Sequence, residues 1–150
     1  MPVEQNGFLS IGEGAIPGSA TVRGYEGQIV VQGVSYGVSQ YGEWEEGEQI
    51  TGWVTTFGDV VITKSMDYGS PALAAACGRK TQYDDAELCL VAGAEVYLTV
   101  ILEKVIVTSL HVKYHTGDTR PTETATLSYR KATWRYGTAT TSYDLAQNVG

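Results

Sequence analysis

Gly33-Val34-Ser35-Tyr36-Gly37 matches the G-x-S-x-G pattern of a hydrolase nucleophile elbow, with Ser35 in the nucleophile position. Acid and base candidates follow in the matching chain order: Asp59, Asp67 or Asp84, then His111 or His115. An elbow exposes its serine because the chain turns sharply from a strand into a helix. Ser35 instead sits inside a run that keeps strand period to Gln40, and no helix signal comes before Ser70. Without its turn, the pattern reads as a strand whose small residues admit a close neighbour.

The other chemical patterns dissolve in the same way. His111 and His115 would share a metal on a helix, but in an extended Leu110–Tyr114 they stand roughly 13 Å apart, too far for one ion. Ser128-Tyr129-Arg130-Lys131 fits S-x-x-K, which also needs a helix to bring its ends together. Glu43, Glu45, Glu46 and Glu48 crowd one stretch without the spacing of a calcium loop. That stretch, Gly42–Gly47, reads as an exposed acidic loop, or as a polar contact with another copy of the chain. Gly12-Glu13-Gly14 lacks the third glycine of a phosphate cradle. Cys77 and Cys89 form no disulfide framework or zinc pattern and read as buried thiols. The expectation is a protein with no catalytic residue, no metal and no cofactor.

At 150 residues with 43% apolar, the chain supports one domain, residues 1–150, with a real core. Seventeen acidic residues against ten basic ones leave a net charge of −7. Such a surface repels phosphate backbones, so neither a nucleic-acid partner nor an anionic membrane is expected. Apolar stretches such as Val96–Leu102 break too soon to cross a bilayer, so membrane insertion is not expected either. The opening Met1-Pro2-Val3-Glu4-Gln5-Asn6 has neither a basic region nor an apolar one, so no cleaved signal is visible. The expectation is folding in the cytoplasm and, if the protein is secreted, export by a route that reads no such signal.

Eighteen glycines and abundant Thr and Val describe an all-β chain. Extended segments are expected at Phe8–Gly12, Gln28–Gln40, Trp53–Ser65, Tyr83–Val91, Val96–Tyr114, Thr122–Tyr136 and Ser142–Val149. Glu103-Lys104 predicts a bend in the fifth of these. The apolar parity of the sixth changes from Ala125, Leu127, Tyr129 to Ala132, Trp134, Tyr136, which predicts a bulge near Arg130-Lys131. Ser70–Gly78 is the one helix, with Ser70 as N-cap, Pro71 at N1 and Gly78 as the left-handed residue after its end. Its apolar interior requires packing on all sides, most simply at the open end of a barrel. In Gln28–Gln40 one face carries Ile29 and Val31, then Gly33, Ser35, Gly37 and Ser39, the last four too small and polar for a core wall. They must look onto water or a partner.

Five blocks in order resemble the Hcp family, the hemolysin-coregulated tube proteins of bacterial type VI secretion. They are Val34-Ser35-Tyr36-Gly37-Val38-Ser39-Gln40; Val61–Asp67 with Ser70-Pro71-Ala72-Leu73; Tyr97–Leu110; Glu123–Tyr129 running to Trp134-Arg135-Tyr136; and Tyr143–Asn148. The resemblance spans Phe8 to Asn148. The acidic segment after Gln40 and the stretch Ile16–Gly27 depart from the family pattern.

The resemblance implies an all-β tail-tube barrel or sandwich with one short helix, a homohexameric ring, and stacked rings that form an expelled tube. It also implies spike, sheath and effector proteins as partners, small effectors in the lumen, and secretion out of the cell or into a target cell. Strand parity assigns Gly33, Ser35, Gly37 and Ser39 to the lumen. Glu43, Trp44, Glu45 and Glu46 are assigned to ring stacking. Competing readings are a tail-tube protein of a phage or another contractile particle, a monomeric β-barrel that binds a small ligand, and the Ser35 hydrolase.

Overall fold

Val60, Ile62 and Lys64 point inward while Val61, Thr63 and Ser65 alternate outward, the period-two pattern of a half-buried strand. Most of the chain repeats it, and the computed structural model, which describes residues 5–45 and 49–145, arranges these strands as a barrel. The strands are β1 (Gly7–Ile11), β2 (Ile29–Val30), β3 (Gly33–Ser35), β4 (Val38–Glu45), β5 (Gln49–Phe57) and β6 (Val60–Ser65). After the helix α1 (Ser70–Arg79) come β7 (Gln82–Ala92), β8 (Glu95–Lys113), β9 (Thr122–Ser128), β10 (Lys131–Tyr136) and β11 (Ala139–Asp144).

Neighbours run β2-β1-β7-β8-β9-β6-β3, with β10 beside β8 and β11 beside β10. The sheet closes because one stretch of chain serves both of its edges. Val31 N–H donates to Gly7 O, on the β1 side, and Gln32 N–H donates to Thr63 O, on β6 (both 2.8 Å). Closure removes the exposed edges that a sheet would otherwise offer there. The core inside includes Ile11, Ile29, Ile62, Leu73, Val100, Leu102, Val105, Ala125 and Leu127. A smaller cluster, Phe8, Ala20 and Val91, lies under the stretch around Tyr25, whose ring stacks on Phe8 at 4.2 Å.

Several expected strands are broken where the chain changes partner. Gln28–Gln40 is three strands. Gln32 donates to Thr63 while Gly33 also pairs with Thr63, so two residues oppose one and the parity reverses. Ile29 and Val31 are therefore core, Val34 joins them, and on β3 Gly33 and Ser35 face outward. Trp53–Ser65 divides at Gly58-Asp59 into β5 and β6. Of Gly42–Gly47, expected as a loop, residues 42–45 are strand: Glu43 pairs with Thr51, Trp44 with Ile50 and Glu45 with Gln49. Glu46 lies outside the described residues, as does the end of Ser142–Val149 beyond residue 145.

The bend at Glu103-Lys104 and the break near Arg130 are two halves of one kink. Lys104 takes a left-handed backbone (φ 58°) and Arg130 N–H donates to Glu103 O at 3.0 Å. Buried positions shift from Val100 and Leu102 to Val105 and Val107 on β8, and from Leu127 and Tyr129 to Ala132 on the facing chain. Two residues intervene on each strand, so both change parity together and their pairing stays in step.

The helix runs one residue further than expected. Gly69 is the N-cap and Ser70 the first helical residue, while Lys80 (φ 55°) is the left-handed cap and Gly78 stays helical. The hydroxyl of Ser70 is occupied elsewhere, as described below. Only Ser70, Leu73 and Ala76 are buried. The alanine methyls are small enough that the opposite face meets water, against the expectation of packing on all sides. A Cβ on Gly69 would lie 1.8 Å from Pro17 O, so only glycine lets the turn before the helix sit against that loop. Cys77 and Cys89 are free and half-buried rather than buried.

Candidate functional site

Rows of cross-strand partners place the outward residues of the barrel wall on one surface, since directly opposed residues share a face. Gly33 pairs with Thr63, Thr63 with Thr124 and Thr124 with His111. The next row is Ser35, Val61, Thr126 and Ser109. The serine and threonine side chains of these rows are partly or fully exposed. The wall is thus a field of small hydroxyl groups four strands wide, of which the sequence reading had only the β3 column. The period-two alternation of Thr122, Thr124, Thr126 and Ser128 was the signal for the rest.

Ser35 and His111 lie in different rows and three strand spacings apart, about 14 Å, so the elbow motif assembles no Ser-His pair. Two of the acid candidates are engaged elsewhere: Asp84 lies 3.6 Å from Lys104, and Asp67 lies within the buried network described below. Among the described residues, no three His, Cys, Asp or Glu side chains are grouped to hold a metal ion.

Gly37 and Ser39 leave this wall. Gly37 lies in the break after β3, and Ser39 pairs with Thr56 in the β4–β5 hairpin, which forms its own two-stranded sheet. Of the four residues assigned to one face, Gly33 and Ser35 therefore lie in the barrel sheet, Ser39 in the hairpin and Gly37 in the break between them. The base of the hairpin is held firmly. Gly58 N–H donates to Gly37 O at 2.8 Å, and the Tyr129 hydroxyl donates to Gly58 O at 3.2 Å. Phe57 stacks between Trp134 (6.0 Å) and Tyr143 (4.2 Å), and Tyr36 reaches Trp134 from the other side (6.4 Å). Burial pushes the Tyr129 phenol above its ordinary pKa, and Asp59 and Tyr36 add to the shift.

At the opposite end of β6 is a buried ionic cluster that the sequence reading missed. The Lys64 ammonium, fully buried, contacts Glu123 Oε1, Asp67 Oδ1 (3.2 Å) and Ser70 Oγ (3.3 Å). Ser70 Oγ donates to Glu123 Oε1 (2.6 Å) and accepts from Asp67 N–H (2.9 Å). Asp67 Oδ1 also accepts from Gly69 N–H at 2.9 Å. Buried charge survives only when paired and hydrogen-bonded in this way. The cluster ties the helix N-terminus to β6 and β9. Its sequence signal was the inward parity of Lys64 after Val60 and Ile62, and of Glu123 before Ala125 and Leu127.

Comparisons with known proteins point one way. The family profile described as "Type VI secretion system effector, Hcp" matches residues 8–136. A solved structure described as a type six secretion system protein is similar with a TM-score of 0.85 at 21% identity, over 97% of this chain and 99% of that one. Hcp1 from Salmonella typhimurium gives 0.81 at 23% identity, over 95% and 96%. Hcp1 from E. coli EAEC 042 gives 0.78 at 25% identity, over 93% and 99%. No curated protein sequence matches the chain.

Proposed function

Because this chain belongs to the Hcp family of type VI secretion proteins, we propose that six copies close into a ring whose hydroxyl-rich wall lines a central channel. The observation that carries this reading is the pair of rows from Gly33 to His111 and from Ser35 to Ser109. A wall of short polar side chains stays hydrated and leaves room for a passenger, whereas a wall of long apolar ones would collapse or aggregate. Ring closure requires a heterologous contact, one patch meeting a different patch on the next copy. Each contact is expected to bury on the order of 2,000 Å² in total, as stable assemblies do.

In this reading rings stack into the tube of the secretion machine, with the β4–β5 hairpin, which includes Glu43, Trp44 and Glu45, at the stacking end. Gly33 and Ser35 are the luminal residues. Small effectors ride in the channel, and spike and sheath proteins complete the machine. No helix among the described residues is long and apolar enough to cross a membrane. The chain folds in the cytoplasm and leaves with the tube.

Native mass spectrometry tests the proposal directly. A hexamer, seen as an annulus by electron microscopy, is expected. A chain that stays monomeric at high concentration overturns the ring.

A further inference from the structure

The exposed charge of the channel wall described above has one sign. Its strands β3, β6 and β9, with β8 from Ile106 onward, hold a single carboxylate, Glu123. That carboxylate points inward against Lys64 and is 1% exposed. The outward cation of these strands is Lys113, which pairs with Thr122 in the row that begins at Ser65. One row further in, His111 shares the face, paired with Thr124. Both side chains are exposed, and among the described residues neither has an ion pair. The acidity of the chain lies on other strands. β7 carries Asp84, Asp85 and Glu87, and β8 before its kink adds Glu95 and Glu103. At one end of the wall Asp59 precedes Val60. At the other, Asp118 Oδ2 accepts from His115 N–H at 3.0 Å, and Asp118 lines one cleft with the cation Arg120.

We propose that this wall selects protein passengers with an acidic contact surface, held by Lys113 and His111 of every copy in the ring. The inference rests on the ring reading above and adds the class of passenger to it. A closed ring repeats each wall residue once per copy on one concave surface, and a concavity of one sign concentrates groups of the other. The outer carboxylates do not cancel that field. Packed sheets lie about 10 Å apart, more than the screening length of about 8 Å at physiological salt. In a chain of net charge −7, strands cleared of exposed carboxylates are where an acidic passenger meets least repulsion. Between the cations, the serine and threonine hydroxyls donate hydrogen bonds to carboxylates. Protein is favoured over nucleic acid, because these strands hold no aromatic side chain on which a base could stack.

Two fluorescent peptides of equal length, one of glutamate and glycine and one of serine and glycine, test the selection by their retention on purified rings in gel filtration. The glutamate peptide is expected to be held at least about tenfold more strongly, and less so as salt is raised. Lys113→Gln with His111→Gln is expected to keep the hexamer by native mass spectrometry and to lower retention to that of the serine peptide. Thr124→Lys, which adds a cation beside His111, is expected to raise it. Equal retention of the two peptides, retention unmoved by either variant, insensitivity to salt, or loss of the hexamer in the Lys113 variant each overturns the proposal while the ring reading stands. A thymidine oligonucleotide of equal charge that displaces the glutamate peptide overturns the assignment to protein. Absence of rings in the unaltered chain overturns the ring reading as well.

Discussion

Lys64 and Glu123 face each other in register on β6 and β9, and both are shut off from solvent. Ser70 donates to the same glutamate oxygen and Asp67 touches the same ammonium, so the pair also anchors the start of the helix. Removing one partner leaves a buried carboxylate without its counter-charge. Lys64→Met is therefore expected to destabilise the fold by ~3–5 kcal/mol, read as a lower urea midpoint. Pairing it with Glu123→Leu should recover part of that loss. A single variant as stable as the parent would show the charge to be unburied in solution.

Alkaline pH should loosen the hairpin base. The folded pKa of Tyr129 lies above its ordinary value of 10.0, chiefly through burial. Below that ordinary value both folded and unfolded chains hold the proton, and the contribution is fully present. As pH rises past it, the unfolded chain releases its proton first and stability falls until the folded tyrosine also ionises. Tyr25 and Cys89 are raised as well, both mainly by burial, and act in the same direction, the thiol from 9.0 upward. Denaturant midpoints measured from about pH 8 to about pH 11 should decline, and Tyr129→Phe should reduce the slope.

Trp134 bridges the wall and the hairpin through its stacks with Phe57 and Tyr36. Trp134→Ala removes both, each worth about 0.5–1.5 kcal/mol beyond the area buried. The expected result is a modest loss of thermal stability together with faster proteolytic cleavage between β4 and β5. Cleavage unchanged would mean that the hydrogen bonds at Gly58 and the Phe57–Tyr143 stack hold the base without Trp134.

Ser35 is exposed on β3, opposite Val61. Ser35→Gln is expected to leave the ring intact, because nothing packed is disturbed, and to weaken retention of a luminal passenger in co-purification. A variant that no longer forms rings would place Ser35 at a packed contact between copies.

How far the sequence could be read depended on whether a signal was local. Alternation in Val60–Ser65 and Thr122–Ser128 marked strands, and the parity change after Tyr129 marked the kink, because each strand has to keep one face in the core. The helix was legible from Ser70-Pro71 and its alanine run, although the left-handed residue is Lys80 and not Gly78. The parity argument failed at Gln32-Gly33, where two residues oppose Thr63, because nothing in the chain itself shows which partner strand each residue will meet.

Composition, charge balance and strand period by themselves determined an all-β chain with one helix, an acidic segment at Gly42–Gly47 that reads as a loop, and a small polar patch around Ser35. Tertiary structure alone decided that Lys64 and Glu123, 59 residues apart, would meet, that β3 would continue into a wall of threonines, and that residues 43–45 of the acidic segment would pair with β5 as strand. The reason is physical: periodicity constrains which face of a strand is buried, but pairing between distant strands is set by closing the whole barrel, a choice no single segment contains.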